Sequence, residues 1–280
     1  MFDHTSLIQF IEQRFACEHR GLIETNITKW RRAVAGDLTS AFNFRSPNAA
    51  VVTLPPTDTY APPDHERHPD YEPAVPAMQA MPKQERGVRP ARPLPYELQA
   101  HGKADFGAGT LEVRFVNAGK AAAVYHVRSG NSQLGPWTYT VGAGDKIDET
   151  WAIRGNGLSA YDLSVYGPNG FFRSFKGSIR GKDKANLTVR AGYQDCGITL
   201  DIHNRSDDRR KVRIYEAYSR QSITLPVGPG RSLVWHWSLD KSFGWYDLTV
   251  EVEHDPSFRR QLAGHVETGR DSVSDPAFGA

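Results

Sequence analysis

Two tandem antiparallel β-sandwiches, preceded by a short helical piece and a proline-rich connection, are the mainly β fold that the sequence predicts. Three observations predict it: a long internal repeat, period-two apolar alternation inside each copy, and proline crowding upstream. In the repeat, Val141-Gly142-Ala143-Gly144 returns as Val227-Gly228-Pro229-Gly230, Trp151 as Trp237, Tyr161-Asp162-Leu163 as Tyr246-Asp247-Leu248, and Phe172-Arg173 as Phe258-Arg259. The offset of about 86 residues is too long for a solenoid and fits a small domain. The expected organisation is a helical piece at 1–46, a linker at 47–93, sandwiches at 94–182 and 183–268, and a polar, frayed tail at 269–280.

Residues 1–46 read as two helices. Asp3, Thr5 or Ser6 can cap the first, whose Leu7, Ile8, Phe10, Ile11 and Phe15 recur at helical spacing. Thr28 can cap a second through Trp30 to Val34, and Gly36 ends it. Two short helices cannot bury both apolar faces against each other, so this piece wants a larger body, and without one it is expected to be poorly anchored. The linker carries Pro55-Pro56, Pro62-Pro63, Pro69, Pro73, Pro76, Pro82, Pro90 and Pro93, with Pro95 just beyond. Fixed φ angles and missing donors predict an extended segment with little regular structure.

From about residue 94 the period is two. Leu111, Val113 and Phe115 alternate with Glu112 and Arg114, and Ile198, Leu200 and Ile202 repeat the pattern. Val124, Val212 and Ile214 belong to the next strands, while Ile147, Trp151 and Ile153 match Leu233, Trp237 and Leu239. Asn169-Gly170 tolerates positive φ and predicts a tight hairpin. Several short strands per copy, separated by turn signals, indicate a sandwich.

A net charge of +2 argues against a nucleic-acid binder, which would show a concentrated basic face. Cys17 and Cys196 lack Cys-x-x-Cys spacing, which argues against a zinc site and leaves open one long-range disulfide. No apolar run is long enough to span a bilayer, and no signal peptide is visible, so the chain as written reads as cytoplasmic. His65-Glu66-Arg67-His68 lacks the i, i+4 histidines of a helical zinc site. His236, between Trp235 and Trp237 on a strand, should face away from both. There is no Gly-x-Ser-x-Gly elbow, P-loop or dinucleotide fingerprint, so composition and pattern indicate no enzyme, no catalytic residue, no metal ligand and no cofactor in this chain.

Side chains shared by both copies serve the shared fold, which assigns Trp151, Trp237 and the Tyr-Asp pairs to core or turn roles. Residues unique to one copy are freer. Arg205, Arg209, Arg210, Lys211 and Arg213 form the densest basic cluster, read as a solvated hairpin tip or as a contact for anionic lipid head groups. Phe171 aligns with Ser257 at the 86-residue offset, so the fold does not require an aromatic there, and it reads as an exposed surface aromatic or as one dipping into a bilayer interface.

The stretches Phe2-Asp3-His4-Thr5-Ser6-Leu7-Ile8-Gln9-Phe10 and Ile27-Thr28-Lys29-Trp30-Arg31-Arg32-Ala33-Val34-Ala35-Gly36-Asp37 resemble the end of the catalytic domain of bacterial phosphocholine-specific phospholipase C, which makes residues 1–46 a C-terminal remnant of that domain, with the tandem repeat following in the same order. That family belongs with the acid-phosphatase-like phosphoesterases and carries two small β-rich domains after its catalytic domain. The resemblance implies hydrolysis of phosphatidylcholine or sphingomyelin to release phosphocholine, a hydroxyl nucleophile, a divalent metal and export from the cytoplasm. The family's catalytic motifs lie upstream of the segment that matches residue 2, so no catalytic or metal-binding residue carries over. Three readings follow: a C-terminal fragment inactive alone, a standalone module binding lipid or protein, or a chain completed by a separately encoded catalytic half.

Overall fold

Period-two alternation becomes strands in both copies. The computed structural model describes every residue except 20, 52, 55, 57–61, 63, 73, 76, 82–85, 182–183, 195–196 and 280. Cys196 and the linker prolines Pro55, Pro63, Pro73, Pro76 and Pro82 therefore lie outside the described residues. Helices α1 (His4–Phe15) and α2 (Lys29–Val34) come first, and no helix or strand occurs among the described residues of 47–89. The strands are β1 (Pro90–Ala91), β2 (Leu98–Asp105), β3 (Thr110–Asn117), β4 (Ala123–Ser129), β5 (Trp137–Val141), β6 (Lys146–Ala152), β7 (Ala160–Tyr166) and β8 (Phe172–Ser178). There follow β9 (Leu187–Gln194), β10 (Gly197–Asn204), β11 (Arg210–Glu216), β12 (Gln221–Val227), β13 (Ser232–Ser238), β14 (Trp245–Val252), β15 (Asp255–His265) and β16 (Ser272–Val273).

Each copy packs a three-stranded sheet, β2-β3-β6 or β13-β10-β9, over its half of one eight-stranded sheet ordered β12-β11-β14-β15-β8-β7-β4-β5. Leu111, Val113 and Phe115 anchor the first core and Ile198, Leu200 and Ile202 the second, all essentially inaccessible. The predicted hairpin is present, with φ of 54° at Asn169 and 72° at Gly170, values a type I′ turn requires.

The eight-stranded sheet is continuous because β8 pairs antiparallel with β15, its own counterpart, in a ladder centred on Ser174 opposite Gln261. Across this seam the copies exchange side chains. The fully buried Arg173 donates to Tyr246 Oη of the second copy at 3.0 Å, to Tyr193 Oη at 2.9 Å and to the Ala263 carbonyl at 3.0 Å. The equally buried Arg260 donates to Tyr161 Oη of the first copy at 2.7 Å and to the Lys176 carbonyl at 2.6 Å. Each guanidinium also lies over a phenylalanine of its own copy, Arg173 4.4 Å from the Phe171 ring and Arg260 4.3 Å from that of Phe258.

This symmetry corrects one expectation. Arg173 matches Arg260 and Phe171 matches Phe258, an offset one residue longer than the repeated turns suggest. Phe171 is buried at 6 % exposure, so it is a shared core residue and not a bilayer anchor. A one-residue slip along a strand exchanges its two faces.

Two more expectations change. Helix α2 is anchored: Val34 joins the first copy's core, Trp30 Nε1 donates to the Ala122 carbonyl at 2.9 Å, and Arg92 donates to the carbonyls of Ala33 and Val34. The tail is not frayed either, since β16 pairs with β1, Trp245 Nε1 donates to the Val273 carbonyl, and Tyr218 Oη donates to Asp275.

At the seam, Nδ1 of His101 on β2 is buried with no partner. Burial, then the positive charges of Arg173, Arg190 and Arg114, push its pKa down to about 4. The unfolded chain takes up this proton near pH 6.5. Stability should therefore be full above that value and fall as pH drops toward 4, by on the order of 2 kcal/mol. Urea denaturation between pH 7 and 4 tests this: His101→Gln should flatten the slope, and unchanged slopes would show an ordinary imidazole.

Candidate functional site

The helical piece presents a surface whose polarity is inverted. Asp3 caps α1 in a reciprocal box with Ser6, its carboxylate accepting from Thr5 N at 2.8 Å while Asp3 N donates to Ser6 Oγ at 3.0 Å. The hydrogen bond from the Thr5 hydroxyl, with that from Arg31, holds the Asp3 carboxyl down at about 2. Arg32 grips Glu12 in a two-pronged pair at 2.6 and 3.0 Å, and this holds the Glu12 carboxyl below its usual range. Arg32 also reaches the Glu24 carbonyl at 2.6 Å, and Glu24 N donates to Glu12 at 2.7 Å. The buried face of α1 is therefore Thr5, Ser6, Gln9 and Glu12.

The apolar stripe that should have been buried instead faces out. Leu7, Ile8, Ile11 and Phe15 are all exposed, Leu7 by 58 %. A ring stack of Phe10, Phe42 and Phe44 extends the surface, with centroids 5.2 and 5.6 Å apart and Phe44 75 % exposed. Leu22 and Ile23 are exposed in the following loop. A helix turned this way leaves apolar area in water that only another body can remove. The sequence already held the signal in the spacing of the stripe; its direction depends on α2, whose arginines hold the polar face.

The predicted basic cluster does not form one surface. Arg205 turns inward and donates to the Ala104 carbonyl of the first copy at 2.8 Å. Arg210 is buried and pairs with Asp208 at 3.8 Å. Arg209, Lys211 and Arg213 are exposed, with Lys211 3.2 Å from Glu253 and Arg213 opposite Glu251 in the ladder. The inward pair follows from strand alternation, because Arg210 shares a face with Val212 and Ile214. His236 is exposed, while Trp235 and Trp237 on the other face of β13 pack against the second core.

Sequence comparison missed Asn117 and Asn204, which are fully buried at the ends of β3 and β10. Asn117 Nδ2 donates to the carbonyls of Ala121 and Val141, and Asn204 Nδ2 to those of Asp208 and Val227. Their signal was the asparagine that follows the alternating triplet by two residues in each copy.

Residues 90–178 and 182–265 each match the family described as bacterial phospholipase C, C-terminal domain. The chain is 46% identical over 280 residues to the non-hemolytic phospholipase C of Burkholderia pseudomallei, covering 98% of this chain and 40% of that protein. It is 40% identical to the non-hemolytic phospholipase C of Pseudomonas aeruginosa, covering 100% and 41%, and 35% identical to the hemolytic phospholipase C of that organism, covering 99% and 42%. The chain thus spans about two fifths of the length of these curated relatives.

Proposed function

Because this chain belongs to the bacterial phospholipase C family through its paired C-terminal domains, we propose that it is the accessory part of a phospholipase C and receives the catalytic part on α1. The enzyme so completed hydrolyses phosphatidylcholine or sphingomyelin, releases phosphocholine and uses a divalent metal held by the catalytic part; it acts outside the cytoplasm. The inverted polarity of α1 carries this reading. Leu7, Ile11 and Phe15 lie along one exposed stripe, and the relatives are long enough to supply a body that covers it.

The partner is an apolar protein surface and not a bilayer, since the stripe adjoins the exposed pair Arg14–Glu18 and the Phe42–Phe44 stack instead of a basic rim. The exposed Arg209, Lys211 and Arg213 are the residues left for contact with anionic lipid heads.

Association is measured by calorimetry between this chain and the separately produced remaining three fifths of the Burkholderia relative. The expected results are a stoichiometric complex, phosphocholine release by the complex and none by this chain alone. Ile11→Asp with Phe15→Asp should weaken association at least about thirtyfold, because a carboxylate is then desolvated inside an apolar contact. Phosphocholine release by the purified chain alone, or full affinity in the double variant, would overturn the reading.

A further inference from the structure

The two copies differ most where each sandwich opens at its edge. In the first copy Trp137 and Tyr139 of β5 fill the gap, meeting Trp151 edge-on at centroid distances of 5.5 and 6.3 Å. The Tyr139 hydroxyl donates to Glu149 at 3.3 Å. A residual cavity of about 150 Å³ remains there. At the same ladder positions of the second copy, β12 carries the smaller Ile223 and Leu225, and β13 carries Trp235 in place of Glu149. The gap is then an open cleft of about 690 Å³, within the range of small-molecule sites.

Its lining is of a particular kind. Trp235 and Trp237, two residues apart on β13, share the inward face, and no ring stack or hydrogen bond engages either indole among the described residues. Glu216, on the core face of β11 beyond Val212 and Ile214, is 2 % exposed at the cleft floor. Its carboxylate accepts from Tyr218 N at 3.2 Å and Ser219 N at 2.6 Å, so two backbone dipoles orient it without neutralising its charge. Asp240 adds a second carboxylate at the wall. Behind Tyr218 stands Asp275, accepting its hydroxyl at 2.9 Å. The carboxyl of Asp247 is held above its usual range by burial and, in part, by the charges of Glu216 and Asp275. The one opposing side-chain charge in the lining, Lys241, is exposed at the rim.

We propose that this cleft is a binding site for a small organic cation of the alkylated ammonium class, held against the faces of Trp235 and Trp237 with its charge toward Glu216. Indole faces attract a cation whose surface is apolar, and the attraction grows as water leaves. A buried carboxylate with no cationic partner among the described residues supplies the counter-charge. A neutral ligand would leave Glu216 uncompensated, and an anion would be repelled by it. Glu216 and Trp235 are confined to one copy: Ser129 stands where Glu216 does and Glu149 where Trp235 does, so the shared fold, which keeps Trp237 as Trp151, does not require these two. The site is independent of the α1 surface, and its test does not involve the catalytic part.

Saturation-transfer NMR on the full chain, with tetramethylammonium as probe and tert-butanol as its neutral counterpart, tests the assignment. The cation should bind at least about tenfold more tightly than the alcohol. Trp235→Ala and Glu216→Gln should each weaken it by about fivefold or more, whereas Glu149→Gln, in the first copy, should leave it unchanged. Near-ultraviolet circular dichroism reports whether each variant is folded, and Asp240→Asn at the wall serves if Glu216→Gln is not. Equal binding of the alcohol, no binding of the cation, retention of affinity in Trp235→Ala, or an equal loss in Glu149→Gln would each overturn the proposal.

Discussion

Arg173→Ala is expected to lower the melting temperature by about 10 °C or more, and both copies should unfold in one transition. The substitution strips partners from the Ala263 carbonyl and from the hydroxyls of Tyr193 and Tyr246, all at the seam. Hydrogen bonds to a charged donor are worth more than neutral ones, and the acceptors stay buried, the two hydroxyls keeping only each other and the Leu98 carbonyl, so the loss should be about 3–5 kcal/mol. Burial pushes the Tyr193 phenol well up, so it remains a neutral hydroxyl that needs its partners. Calorimetry with tryptophan fluorescence reads the result. Two separate transitions in the wild-type chain, or a loss under about 1 kcal/mol in the variant, would show that the seam does not couple the copies. Replacing the cluster by apolar groups, Arg173→Met with Tyr246→Phe, should cost less than Arg173→Ala, because fewer polar groups are abandoned.

Asn117→Ala and Asn204→Ala are each expected to cost about 2–4 kcal/mol, and by similar amounts. Each asparagine side chain makes three hydrogen bonds. Nδ2 donates to two carbonyls of other segments, and Oδ1 accepts from Gly119 N or Ser206 N at 3.0 and 2.9 Å. Water cannot replace these bonds, since both side chains are fully buried. Urea midpoints measure the losses. A cost below about 1 kcal/mol in either variant would mean that the loops between β3 and β4 and between β10 and β11 close without this clamp.

The mainly β architecture was legible because alternation is a local property. Leu111, Val113 and Phe115 declare a buried face within five residues, and Ile198, Leu200 and Ile202 declare it again. The seam was not legible, because Arg173 meets Tyr246 and Arg260 meets Tyr161 across 73 and 99 residues, and no spacing rule connects them. Phe171 shows the cost of a one-residue misalignment: paired with Ser257 it looked like a surface anchor, and paired with Phe258 it belongs to the core. The stripe on α1 was read correctly as apolar, but its orientation depends on Arg31 and Arg32 holding Asp3 and Glu12 at 2.6 Å. The cleft of the second copy escaped notice because Trp235 stood out only as a neighbour of His236 on its strand, and only Tyr139 and Trp137 in the other copy reveal the space it leaves.

The β8–β15 ladder says something about a single copy in isolation. One copy alone would end in an open strand edge at β8, with a guanidinium looking for a phenol it does not carry in reach. Such an edge is a template for a second molecule. Because the ladder joins a strand to its own counterpart, each copy offers the other the same patch, the rule of an isologous contact in a two-fold homodimer. The chain is in this sense a dimer covalently fused into one polypeptide. With its two halves tied together, one half was free to open its cleft while the other kept its own filled.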